Sequence, residues 1–163
     1  MRETENQMDL DEMSEADIEE LKERCREALE VTPDDAELLT ELAVLELHDL
    51  QIPHGEGVEL LQRAFDLDRS DTISFSHYLG ELAGVADEEE IDEVCRQAIE
   101  AGNVTAMFEL GVRLDERDEP REAVPHLRRA ADNGHAEAPS YLAALLREVG
   151  DQVDDQVGDQ VGD

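Results

Sequence analysis

Apolar residues recur along most of this chain at the three- and four-residue spacing of helices that bury one face. The first such run holds Ile18, Leu21, Cys25, Ala28 and Leu29. Ser14 stands before it as a cap, with Asp17 three residues on in a capping-box arrangement. Pro33 follows Val31 and stops the run. The same reading, carried along the chain, predicts eight helices over residues 14–31, 35–49, 55–68, 71–84, 87–101, 104–117, 120–133 and 136–149. Pro120 suits a first helical position, and Gly102 and Gly134 suit helix ends. Pro125 falls inside the seventh helix, where it removes a backbone donor and is expected to bend it.

The pattern repeats. Cys25-Arg-Glu-Ala28, Leu61-Gln-Arg-Ala64, Cys95-Arg-Gln-Ala98 and Leu127-Arg-Arg-Ala130 each place an apolar residue three before a small alanine, at intervals of 36, 34 and 32 residues. A second series lies between them: Leu42-Ala43, Tyr78-Leu79, Leu110-Gly111 and Leu142-Ala143, at intervals of 36, 32 and 32. Two interleaved series with a period near 34 mean paired helices stacked in order. The alanines and Gly111 mark the points where helices cross closely.

The stretch Glu27-Ala28-Leu29-Glu30-Val31-Thr32-Pro33 resembles the end of a tetratricopeptide repeat. Ala106-Met-Phe-Glu-Leu110-Gly111, Ala123, Ala130-Ala131-Asp-Asn-Gly134-His135-Ala-Glu-Ala138 and Leu142 resemble SEL-like repeats. The likeness covers residues 15–149. It departs from the family where a large aromatic opens the first helix of each unit: Leu39, Phe75, Met107 and Pro139 stand there. The resemblance implies an all-α fold, a right-handed superhelix (α-solenoid) of about eight antiparallel helices in pairs, with a concave side lined by the first helix of each pair. Residues 1–13 are expected to form an acidic disordered leader, 14–149 the helical repeat domain, and 150–163 an acidic, low-complexity disordered tail.

Composition sharpens this picture. Hydrophobic residues are 40% of the chain and aromatics only 3%, so Leu, Ala and Val must fill the core. Net charge is −32, from 45 acids against 13 bases. Lys22 is the one lysine. The acids spread from Glu3 to Asp163 instead of gathering in one block. That distribution fits adaptation to a salty cytoplasm, where a Debye length of roughly 3 Å at 1 M salt screens self-repulsion. A halophilic archaeal source of the haloarchaeal repeat type is expected. Nucleic acid is not an expected partner, because the molecule's field repels phosphate. No stretch approaches the ~20 apolar residues of a membrane helix, and a cytoplasmic location is expected.

Little in the sequence suggests catalysis. Cys25 and Cys95 share the core slot of Leu61 and Leu127 and are expected to be buried thiols. The histidines show no metal-ligand spacing, although His48 and His54 flank the long second turn. No phosphate loop, nucleophile elbow or zinc-protease signature occurs. The expectation is a non-enzyme with no cofactor and no metal. Its partner would be a protein or peptide, held as an interaction scaffold or adaptor; an acidic chaperone-like or anti-association factor for basic proteins is the alternative.

The repeat register places Thr40, Val44, Leu47, Ile73, Ser76, Thr105, Phe108 and Val112 on the concave face as partner-binding residues. Phe108 and Val112 could equally pack against the neighbouring helix. The basic clamp by which some tetratricopeptide proteins hold a C-terminal carboxylate is missing: Glu37, Thr40, Val44, Thr105 and Phe108 occupy its positions. Arginines cluster at Arg113, Arg117, Arg121, Arg128 and Arg129. Arg113, Arg117 and Arg121 are candidate contacts for an acidic partner, and ion pairing with nearby acids is the competing role.

Overall fold

The structure, a computed structural model, describes residues 10, 13–48 and 55–158, with side chains described as far as residue 150. Eight α-helices and no strand occur among them: α1 (Glu15–Val31), α2 (Ala36–His48), α3 (Gly55–Leu67), α4 (Thr72–Leu82), α5 (Glu88–Glu100), α6 (Val104–Glu116), α7 (Pro120–Asp132) and α8 (Ala138–Gly158). Seven of the eight fall within two residues of the sequence-derived boundaries. The eighth starts two residues late, which puts Pro139 in the first turn, where its missing N–H costs nothing. It also runs beyond residue 149, to Gly158.

The helix ends follow from single residues. Ser14 Oγ accepts from the Asp17 amide at 3.2 Å while the Asp17 carboxylate accepts from the Ser14 amide at 3.3 Å, closing the predicted box. Asp71, Asp87 and Asn103 cap α4, α5 and α6 with side-chain oxygens. Gly102 and Gly134 have φ of +90° and +89°, the left-handed geometry that ends a helix at little cost only in glycine. The helix α7 continues through Pro125, which lies on its exposed side.

Two compact units divide the chain, Met1–Asp68 and Arg69–Asp163. In the first, α1 packs on α2 and α2 on α3. Ile18, Cys25, Leu42 and Leu45 form its core, and Leu10 and Met13, from the stretch expected to be leader, pack against it. In the second, α5 packs on α6, α6 on α7 and α7 on α8, with α4 against α5 and α6. Cys95, Ala98, Ala106, Leu127, Ala130 and Ala138 are fully enclosed there.

Small residues let the helices meet closely, as the repeat required. A Cβ on Gly111 would lie 2.7 Å from Leu127 Cγ, and one on Gly57 would lie 2.5 Å from Leu47 Cγ. Leucine side chains therefore fill the space above both glycines, closing α6 on α7 and α2 on α3. Fully burying such a leucine contributes about 1.5–3 kcal/mol. Ala143 departs from its series and is exposed, while Leu145 carries the buried face of α8.

Candidate functional site

The even-numbered helices are the first members of the repeat pairs, so the expected binding residues lie on α2, α4 and α6. Their surroundings differ. In the first unit, Thr40 is buried with its hydroxyl donating to the Ala36 carbonyl at 2.8 Å. Val44 is half-buried, and Leu47 is engaged over Gly57.

In the second unit, α4 presents an open face. Ile73 is 64% exposed. Ser76 and Gly80 follow it at helical spacing and are exposed, and nothing stands within 4 Å of a Cβ built on Gly80. On α6, packed against α4, Thr105 and Val112 are half-buried. Phe108 is only 8% exposed. Its ring stacks on His135 at 4.2 Å and meets Tyr141 edge-on at 5.8 Å. Tyr141 in turn donates to Asp115 Oδ2 at 2.8 Å; burial, then that carboxylate, pushes its phenol up to about 12. Phe108 is thus locked among side chains that follow it in the chain. The start of α6 is also fixed to the start of α4. Asn103, 1% exposed, donates to the carbonyls of Asp71 at 3.0 Å and Arg69 at 3.3 Å, and its Oδ1 accepts from the Ala106 amide. Sequence reasoning passed over Asn103; its place after Gly102, at an N-cap, was the available signal.

The arginine cluster divides in two. Arg113 and Arg117 turn inward to Asp92 of α5, which is 5% exposed. Arg117 Nη2 donates to Asp92 Oδ2 at 2.8 Å, Arg113 Nε donates to Oδ1 at 3.4 Å, and Arg117 also reaches Glu88 at 3.6 Å. The hydrogen bond to Asp92 raises the Arg117 pKa further. Arg121, Arg128 and Arg129 on α7 are exposed and make no ion pair among the described residues.

The first unit holds an ionic centre of its own. Lys22 of α1 is 1% exposed, with Nζ 3.3 Å from Glu46 Oε2 of α2; Arg26 donates to Glu46 Oε1 at 2.6 Å. Both thiols occupy the core slots assigned to them. Burial pushes Cys95 up to about 12 and also raises Cys25. No group of three or more His, Cys, Asp or Glu side chains among the described residues could hold a metal ion. The comparison of His48 with His54 falls outside the described residues. No helix among them is long and apolar enough to cross a membrane.

Comparison with solved structures supplies the architecture. One crystal structure of a MamA protein, a helical repeat protein of tetratricopeptide type, aligns with 83% of this chain and 75% of its own length, at a TM-score of 0.55 and 17% identity. The fold is a tetratricopeptide-like helical repeat. A second MamA structure aligns with 85% of this chain and 92% of its own, at a TM-score of 0.50 and 15% identity. No protein-family model and no curated protein matches the chain.

Proposed function

We propose that this chain is a non-catalytic protein-interaction scaffold or adaptor that holds a segment of a partner protein on the first-helix face of its second unit. The repeat fold supports this reading, and the open face of α4 carries it. Ile73, Ser76 and Gly80 form an exposed strip of one apolar anchor and small residues, with Thr105 and Val112 of α6 beside it. Such a surface suits an extended segment or a helix with apolar anchors. Phe108 serves this face as a rigid support through its stack on His135, not as a contact.

The test is selection of displayed twelve-residue peptides on the chain, at a salt concentration where it is fully helical. Peptides with apolar anchors are expected, and Ile73→Glu and Gly80→Arg should each abolish their binding while circular dichroism is unchanged. Selected peptides indifferent to both substitutions would remove α4 from the account.

The acidity is part of the same proposal. Glu46 and Asp92 are the acids buried among the described residues; the rest lie at or near the surface. This supports a chain built to stay hydrated in a halophile's cytoplasm. Loss of helicity in salt-free buffer at neutral pH is expected, and full retention would overturn the salt-adaptation reading.

A further inference from the structure

We propose that the outward face of α7 is a docking site for an acidic polypeptide segment, read by Arg121, Arg128 and Arg129. The site lies on a different helix from the α4 strip and stands independently of it.

Charge distribution gives the first argument. Among the described helices, α7 alone has more bases than acids: Arg121, Arg128 and Arg129 against Glu122 and Asp132. This occurs in a chain where acids outnumber bases 45 to 13. With carboxylates so abundant, arginines are readily paired, as Arg96, Arg113 and Arg117 are. The three on α7 are not.

Geometry gives the second. Arg121 and Arg128 are seven residues apart and so share one side of the helix, with Arg129 one step around. The packed side carries Ala123, Leu127 and Ala130, which places the arginines opposite the core. Arg121 also occupies the second position of the helix, at the positive end of its dipole, where a base is disfavoured. Arg129, in the last turn, helps the helix; Arg121 does not. Arg121 thus opposes its local field and makes no ion pair among the described residues, a local conflict of the kind expected at a functional surface. The pKa of His126 on the same helix is lowered by burial first, and then by Arg129 and Arg96.

The size of the patch selects the occupant. Arg121 and Arg128 are separated by about 10 Å along the axis. In a polyproline II segment, which turns once every three residues with a rise of ~3.1 Å each, carboxylates three residues apart share one side and span about the same length, and guanidinium groups bind carboxylates through paired hydrogen bonds. Duplex DNA carries a charge every ~1.7 Å and would run past the patch onto Glu122 and Asp132.

The experiment is fluorescence anisotropy on the full chain with labelled hexaglutamate, and with a twelve-residue oligothymidylate, at a salt concentration where the chain is helical. Wild-type chain should bind hexaglutamate. The triple variant Arg121→Ala, Arg128→Ala, Arg129→Ala should bind at least tenfold more weakly with unchanged circular dichroism, and Arg121→Glu alone should give a several-fold loss. Arg24→Ala and Ile73→Glu should leave this binding unchanged, which separates it from the α4 strip. Failure of hexaglutamate to bind, equal binding by the triple variant, or oligothymidylate binding as tight as hexaglutamate would overturn the proposal. So would self-association through these arginines that hexaglutamate fails to dissolve.

Discussion

The two units solve the same problem with opposite charges. Three residues before the core cysteine, α1 carries Lys22 and α5 carries Asp92; the matching slots of α3 and α7 hold Val58 and Val124. Each charged residue is buried and neutralised by the helix that follows. Lys22 meets Glu46 of α2, and Asp92 meets Arg113 of α6 and Arg117 at its C-cap. The slot therefore demands a filled and electrically balanced position, and leaves the sign to the local partner. The two centres also differ in depth. The lysine and glutamate side chains are 2% and 6% exposed, whereas the arginines holding Asp92 are 22% and 24% exposed. Water reaches both of these arginines; in the first centre it reaches Arg26, whose side chain is 43% exposed, and hardly reaches Lys22.

This difference predicts unequal costs of disruption. Lys22→Met should destabilise the chain by about 3–5 kcal/mol, because it strips a buried carboxylate of one of its bases. Adding Glu46→Leu should restore much of the loss. Asp92→Asn should cost less, about 1–3 kcal/mol, since the arginine heads can swing toward solvent on their apolar stems. Denaturant unfolding at constant molar salt measures both, and equal losses would erase the contrast in depth.

The glycine crossings sharpen the comparison at a smaller scale. Gly111→Ala should overpack against Leu127, which is wholly enclosed and offers backbone nitrogen at 3.3 Å as well as side chain; about 1–3 kcal/mol is expected. Gly57→Ala meets only the side chain of half-buried Leu47. There a shift of the leucine and the gain in helix propensity of about 1 kcal/mol should bring the change near zero.

The thiols differ in access. Cys25 lines an open cleft of about 460 Å³ with Leu21, Ala28 and Leu38, while Cys95 is fully enclosed. Titration with a disulfide reagent at pH 8 should modify Cys25 first and Cys95 only with unfolding.

The smallest effect concerns Glu109. Burial raises its pKa in the folded chain. Its protonated form therefore adds stability below the ordinary carboxylate value, and that stability is lost as pH rises through the folded value. Glu109→Gln should be slightly more stable than wild type at pH 7, with the gap closing on acidification below the ordinary range, as read by thermal unfolding in molar salt.

Much of the fold was legible because small residues at a regular interval leave a mark that no other arrangement of this chain explains. Ala64, Ala98 and Ala130 are fully buried, Gly111 lies at a crossing, and Ser14, Gly102, Pro120 and Gly134 end or begin helices where expected. The site residues were less legible. Helical spacing gives the side on which Phe108 lies, but not that His135 and Tyr141 close over it. Asp92 looks like one acid among many, so its capture of Arg113 and Arg117 was hidden by composition. Lys22 was hidden too, although its register with Val58 and Val124 pointed inward.

The enclosure of Lys22 has a practical consequence. It is the chain's sole lysine, so the folded domain offers acylating reagents no side-chain amine in solvent. Modification at that nitrogen would mark only molecules in which α1 has parted from α2, making one residue a chemical gauge of opening in the first unit.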